Sequence, residues 1–182
     1  MEDARSKTRS NSPAARIILP VLILAVIGGI WLFKNKKAEE SPGNGVINPD
    51  FALHVAEKID LERLKSYGLP VIIDFGADSC LPCREMAPVL EKLNKKLQGK
   101  AIIKFVDVWK YPEIAQGYPI RVIPTQVFFG KDGKPFAPSD PQRLNMNMYS
   151  LKDTGEHVFT THEGGMTEKM MLDVLKEMGM EQ

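Results

Sequence analysis

Apolar strand-like runs alternating with amphipathic helical stretches predict an α/β fold, a central mixed β-sheet with helices on both faces. Two observations carry this. VIIDF (71–75) and AIIKFVDVW (101–109) are largely apolar, as in strands buried on both sides. Between them Met86, Leu90, Leu93 and Leu97 recur at spacings of 4, 3 and 4, one helical stripe, with Lys92, Lys95 and Lys96 off it in water.

Each element follows in order. FALHVAEKI (51–59) supplies a first short strand. Asp60 is placed to cap the helix LERLKSYG, and Gly68 to close it. Leu69-Pro70 opens the strand VIIDF. The helix from about Leu81 to Leu97 contains Pro88, which should kink it, and Gly99 ends it. After AIIKFVDVW comes a short helix around 112–116, then the strand TQVFFG (125–130) and the turn Lys131-Asp132-Gly133-Lys134. EHVFTTHEG (156–164) is a further strand, and Thr167 caps a last helix, EKMMLDVLKEM. The stretch 135–154 is long for a connection between neighbouring strands and predicts an inserted loop or extra hairpin. Within it, Met146 and Met148 stand at i and i+2. That suits one face of a strand better than a soft-metal or substrate contact.

The first 50 residues differ in kind. IILPVLILAVIGGIWLF (17–33) is free of charge and meets the lower end of the roughly 17–25 residues a helix needs to cross a bilayer. The flanking WLFKNKKAEE is basic and lacks an A-x-A cleavage pattern, so the run reads as an uncleaved signal anchor. Basic residues nearly match on its two flanks (Arg5, Lys7, Arg9 and Arg16 before, Lys34, Lys36 and Lys37 after), which leaves charge a weak guide to orientation. A short N-terminal end ordinarily stays in the cytoplasm. The expected organisation is a cytoplasmic tail (1–16), a transmembrane anchor (17–33), a polar linker (34–50) and one folded domain (51–182) on the periplasmic or extracytoplasmic side of the inner membrane. The chain carries 24 basic and 23 acidic residues in 182, so charge gives no reason to expect nucleic acid as a partner.

The chain has two cysteines, both in DFGADSCLPCREMAP (74–88). A zinc site needs two more ligands, and His54, His157 and His162 do not stand at finger-like spacing. A purely structural bridge across two residues would close a tiny loop and remove little unfolded-state entropy. A redox dithiol explains more. Cys80 falls where a buried strand gives way to a helix, and free N–H groups there favour a thiolate. Cys83 lies one turn on, within reach to resolve a mixed disulfide. Pro82 is in the first turn, where a missing N–H costs little.

These features resemble the thioredoxin family. DFGADSCLPCREMAP is similar to that family's C-x-P-C segment, including the helix proline five residues after the second cysteine. Arg121-Val122-Ile123-Pro124-Thr125 is similar to its Ile-cisPro-Thr, and the likeness covers about 51–178 apart from the insert. FVDVWKYPEIAQGYPIRVIPTQVFF and HEGG look like membrane-tethered, extracytoplasmic bacterial members. The resemblance implies a thioredoxin fold and a protein-disulfide reductase. Its catalytic set would be Cys80, Cys83 and Asp74, the last a buried acid of raised pKa that exchanges a proton with Cys83. Ile123, Pro124, Thr125, Leu81, Pro82 and Gly164 would bind substrate, Gly164 or Gly165 closing the groove. The resemblance implies no metal and no cofactor beyond the Cys80–Cys83 disulfide itself. Implied partners are disulfide-containing proteins, with apocytochrome c as one candidate, and an integral-membrane thiol electron donor.

Departures matter too. Gly76 and Ser79 stand where thioredoxin has tryptophans. The family's lysine near the buried acid matches Lys104 only within two residues. Pro82 before the second cysteine brings no charge, which points to a reducing potential, nearer about −270 mV than about −120 mV. An oxidase or isomerase, and a non-catalytic binding module on the same fold, are the competing readings.

Overall fold

The computed structural model describes residues 48–181. Six strands, β1 (His54–Val55), β2 (Val71–Gly76), β3 (Ile102–Asp107), β4 (Thr125–Phe129), β5 (Met146–Ser150) and β6 (His157–Glu163), form one sheet in the order β1-β3-β2-β4-β6-β5. β1 and β2 run parallel to β3, whereas β4 pairs antiparallel with β2 and β6, and β5 antiparallel with β6. The sheet is therefore mixed, as the alternating pattern predicts.

Helices cover both faces. α2 (Leu81–Lys96) and α3 (Glu168–Glu177) bury Met86, Leu90, Leu93, Met171, Val174 and Leu175 against Ile72, Ile103 and Phe128. On the other face, α1 (Leu61–Lys65) and a 3-10 turn (Pro112–Ala115) bring Leu64 and Ile114 onto Val71, Ile73, Phe75, Val106 and Val127. β2 and β3 are buried at every position, so their pleat feeds both cores.

The caps form as read. Asp60 Oδ1 accepts from the Arg63 N–H at 3.0 Å, and Thr167 Oγ1 from the Met170 N–H at 3.3 Å. Two expectations change. The first strand shrinks to His54–Val55, because Pro49–Phe51 form a 3-10 turn ahead of it. That turn is fastened to the domain: Arg63 Nε and the Tyr67 hydroxyl each donate to Asp50 Oδ2 at 2.6 Å. Helix α1 stops at Lys65, three residues before Gly68. The insert takes the hairpin form of the two expected: β5 lies along β6 as an edge of the sheet, and on one face of it Met146 packs into the core while Met148 is exposed. Helix α2 remains a single element through Pro88.

Among the described residues, no helix is long and apolar enough to cross a membrane. The proposed tail and anchor, and the linker up to residue 47, lie outside the described residues.

Candidate functional site

Parallel β2 and β3 end at one edge of the sheet, and the residues after them converge there. Antiparallel β4 begins at that edge and β6 ends at it. Cys80 is the N-cap of α2, extended at φ −79° and ψ 123°, and it forms a disulfide with Cys83 across a Cα–Cα distance of 5.3 Å. Cys80 is 9% exposed and Cys83 3%, so the N-terminal sulfur is the one nearer solvent. The Ile123–Pro124 peptide is cis, and the Ile123 carbonyl oxygen lies 4.0 Å from Cys80 Sγ. The Gly164 N–H donates to the Pro124 carbonyl at 2.8 Å, with Gly164 at φ 106°, a conformation that glycine adopts readily. Gly164, not Gly165, is thus the glycine beside Pro124.

Leu81 (65% exposed), Val122 and Trp109 present apolar side chains to solvent around this edge. Thr125 does not. It is buried and its hydroxyl donates to the Val122 carbonyl at 2.7 Å, so it holds the turn and offers no side chain to a substrate. Pro82 is exposed in the first turn of α2.

Asp74 is fully buried on the α2 side of β2. Gln126 Nε2 donates to its Oδ1 at 2.8 Å, while Oδ2 has no hydrogen-bond partner. Burial raises this carboxyl to about 7 against the opposing pull of the Gln126 amide. Oδ2 and Cys83 Sγ flank one small space: a Cβ built on Gly76 would lie 3.4 Å from the first and 3.3 Å from the second. A pocket of about 120 Å³, floored by Leu53, Ala77, Cys83, Leu90 and Phe105, adjoins the buried sulfur.

The sequence model of the thioredoxin family matches residues 55–148. A thioredoxin of Rickettsia bellii is 37% identical over 83 residues, 46% of this chain and 78% of that one. A thioredoxin-like protein of Synechocystis is 42% identical over 74 residues, 41% of this chain and 70% of its own. Among solved structures, a mutant thioredoxin of Halobacterium salinarum is similar, with a TM-score of 0.50 and 27% identity, covering 76% of this chain and 98% of that one.

The chain belongs to the thioredoxin family. It is a thiol–disulfide oxidoreductase whose redox pair is Cys80 and Cys83. Within that family frame the structure answers the question of the lysine. Lys104 pairs in register with Ile73 and points to the opposite face from Asp74, donating to the Pro49 and Ala52 carbonyls at 3.0 and 2.8 Å. Phe105 is the register partner of Asp74.

Three residues of the site escaped sequence reasoning. Gln126 holds the buried acid, and its polar side chain within the run TQVFF was the available signal. Phe105 closes the space beside Gly76. Asp107 ties the loops together: Oδ2 accepts from the Asp78 N–H at 3.0 Å, and Oδ1 from the N–H groups of Trp109 and Lys110 at 3.0 and 3.1 Å. Burial pushes the Asp107 carboxyl up, but those N–H donors and the Lys110 charge outweigh it and hold it below the usual range. Lys110 also pairs with Asp78, two residues before Cys80.

Proposed function

We propose that the chain is a membrane-tethered reductase of disulfides in extracytoplasmic proteins. The observation that carries the chemistry is the placement of Cys80 at the start of α2, beside the Ile123 carbonyl, with Asp74 buried behind Cys83. The tether and the location rest on the uncharged run at 17–33 and its basic flanks.

The cycle starts from the dithiol. Helix N–H groups favour the Cys80 thiolate, which attacks one sulfur of the substrate disulfide. A Cys80–substrate bond forms and the other substrate sulfur leaves as a thiolate. Cys83 then gives its proton to the Asp74 carboxylate and attacks Cys80 Sγ. The Cys80–Cys83 bond forms, the second substrate sulfur leaves, and two electrons have passed to the substrate. A dithiol donor in the membrane restores the pair by the reverse exchange. An extended substrate segment would pair its backbone with the Ile123 carbonyl, while Leu81, Val122 and Trp109 form the apolar rim around it. Extracytoplasmic proteins with unwanted bridges, apocytochrome c among them, fit this scheme as substrates.

Trapping tests it. Cys83→Ser should freeze a mixed disulfide on Cys80, and mass spectrometry of the adducts should return extracytoplasmic substrates together with an integral-membrane donor. Cytosolic proteins alone in the trap would overturn the topology. Equilibration with glutathione should give a potential near about −270 mV, and a value above about −150 mV would overturn the reductase direction.

A further inference from the structure

Gln126 is a polar side chain with no exposed surface, set in a strand whose other residues are also buried. A buried amide is expensive unless its donors are used. Both directions available to its NH₂ are used, while Oε1 has no hydrogen-bond partner: Nε2 lies 2.8 Å from Asp74 Oδ1 and 3.2 Å from the Gly164 carbonyl, with Met86 Sδ at 3.7 Å. Register makes the first contact, since Asp74 and Gln126 are partners across β2 and β4. The second joins the acid to Gly164, whose own N–H holds the Pro124 carbonyl.

We propose that Gln126 is a positioning residue for the resolving step, fixing the Asp74 carboxyl so that its free oxygen faces Cys83 and linking the acid to the substrate groove through Gly164. With Oδ1 engaged, Oδ2 is left toward the Gly76 space that it shares with Cys83 Sγ. When Cys83 attacks, its proton passes to this oxygen, the Cys80–Cys83 bond forms and the Cys80–substrate bond breaks. The Gln126 N–H favours the carboxylate form that must receive the proton.

The surroundings leave this task to Gln126. β3 contributes Phe105 opposite Asp74, with Lys104 turned to the other face. α2 contributes Cys83 and Met86. The charged and titratable neighbours are His162 of β6, in register with Gln126 and with its Nδ1 3.0 Å from the Leu144 carbonyl, and, around the pocket beside Cys83, His54, Asp78, Arg84 and Glu91.

The inference rests on the proposed reductase reading and is tested on the full chain with insulin as substrate and dithiothreitol as donor. Gln126→Met keeps length and removes the donor. Its pH–rate profile should move the Asp74 midpoint up by about one unit, slowing turnover about tenfold below the midpoint and little well above it. In an Asp74→Asn background the same substitution should leave the profile unchanged, which separates Asp74 from the other charged and titratable groups around it. A rate scaled equally at every pH, with the midpoint unmoved, would overturn the proposal. A second measurement needs no substitution: the Gln126 side-chain amide resonance of the oxidised protein should follow the Asp74 titration, and a pH-invariant amide would overturn it. That resonance is read without turnover, so its failure is distinct from a failure of the reductase reading, which an unsubstituted chain inert toward insulin would show.

Discussion

Asp74 of β2 and Phe105 of β3 are partners in register, so the buried carboxyl meets a phenyl ring where a cation would hold it ionised. Its one hydrogen bond, from Gln126, is neutral, and burial wins: the carboxyl titrates at about 7 instead of 3.8.

Stability should record this. Between about pH 4 and pH 7 the unfolded chain has lost the Asp74 proton while the folded chain keeps it, so this group makes stability fall as pH rises. The contribution is intact below pH 3.8 and gone above about 7. A shift of this size corresponds to at most about 4 kcal/mol. Asp74→Asn should therefore be more stable than the unsubstituted protein at pH 8, by roughly 2–4 kcal/mol, with the gap closing toward pH 4. Urea unfolding across that range measures it, and a constant gap would contradict the assignment.

Gly76 is needed for space, since its backbone is ordinary. An added Cβ would lie 2.9 Å from Cε2 of the buried Phe105 ring, which would have to shift, and would fill the gap between Cys83 and Asp74. Gly76→Ala should cost about 1–3 kcal/mol of stability, read from the urea midpoint. It should also slow resolution, so mixed disulfides on Cys80 should accumulate in quenched single-turnover reactions.

Asp107 gathers three backbone N–H groups and the Lys110 ammonium at the loop leading to Cys80. Asp107→Ala removes these charge-assisted contacts and should destabilise by about 2–3 kcal/mol. The carboxyl is held low, so its contribution is present above pH 3.8 and lost as pH falls through the depressed folded value. Thermal melting of the two proteins should converge on acidification below about pH 4.

Pro82 lies in the first turn beside Cys80, exposed and without charge. Pro82→His adds a donor, and a positive charge at lower pH, near the Cys80 thiolate. That stabilises the reduced form and should raise the potential by tens of millivolts, since 30 mV corresponds to about 1.4 kcal/mol for a two-electron couple. Glutathione equilibration measures the shift, and an unchanged potential would show that the charge does not reach Cys80.

Much of the sheet was legible because strands and helices announce themselves by local period. VIIDF and IIKFV are buried at every position, and the stripe Met86, Leu90, Leu93 and Leu97 faces the core. Element ends were less legible. The first strand kept two residues of nine: a 3-10 turn occupies Pro49–Phe51 ahead of it, and Lys104, more than fifty residues on, donates to the Pro49 and Ala52 carbonyls.

By itself the sequence determined the chemistry of the redox pair. A cysteine at a strand-to-helix junction, a second one turn later and a proline between them are local facts, as is the acid six residues earlier. Tertiary structure decided what surrounds that acid. Successive residues of a strand point to opposite faces, so one step of register separates Lys104 from Phe105 as the neighbour of Asp74. Gln126 stands 52 residues from Asp74, and only the antiparallel pairing of β2 with β4 brings its amide to the carboxyl.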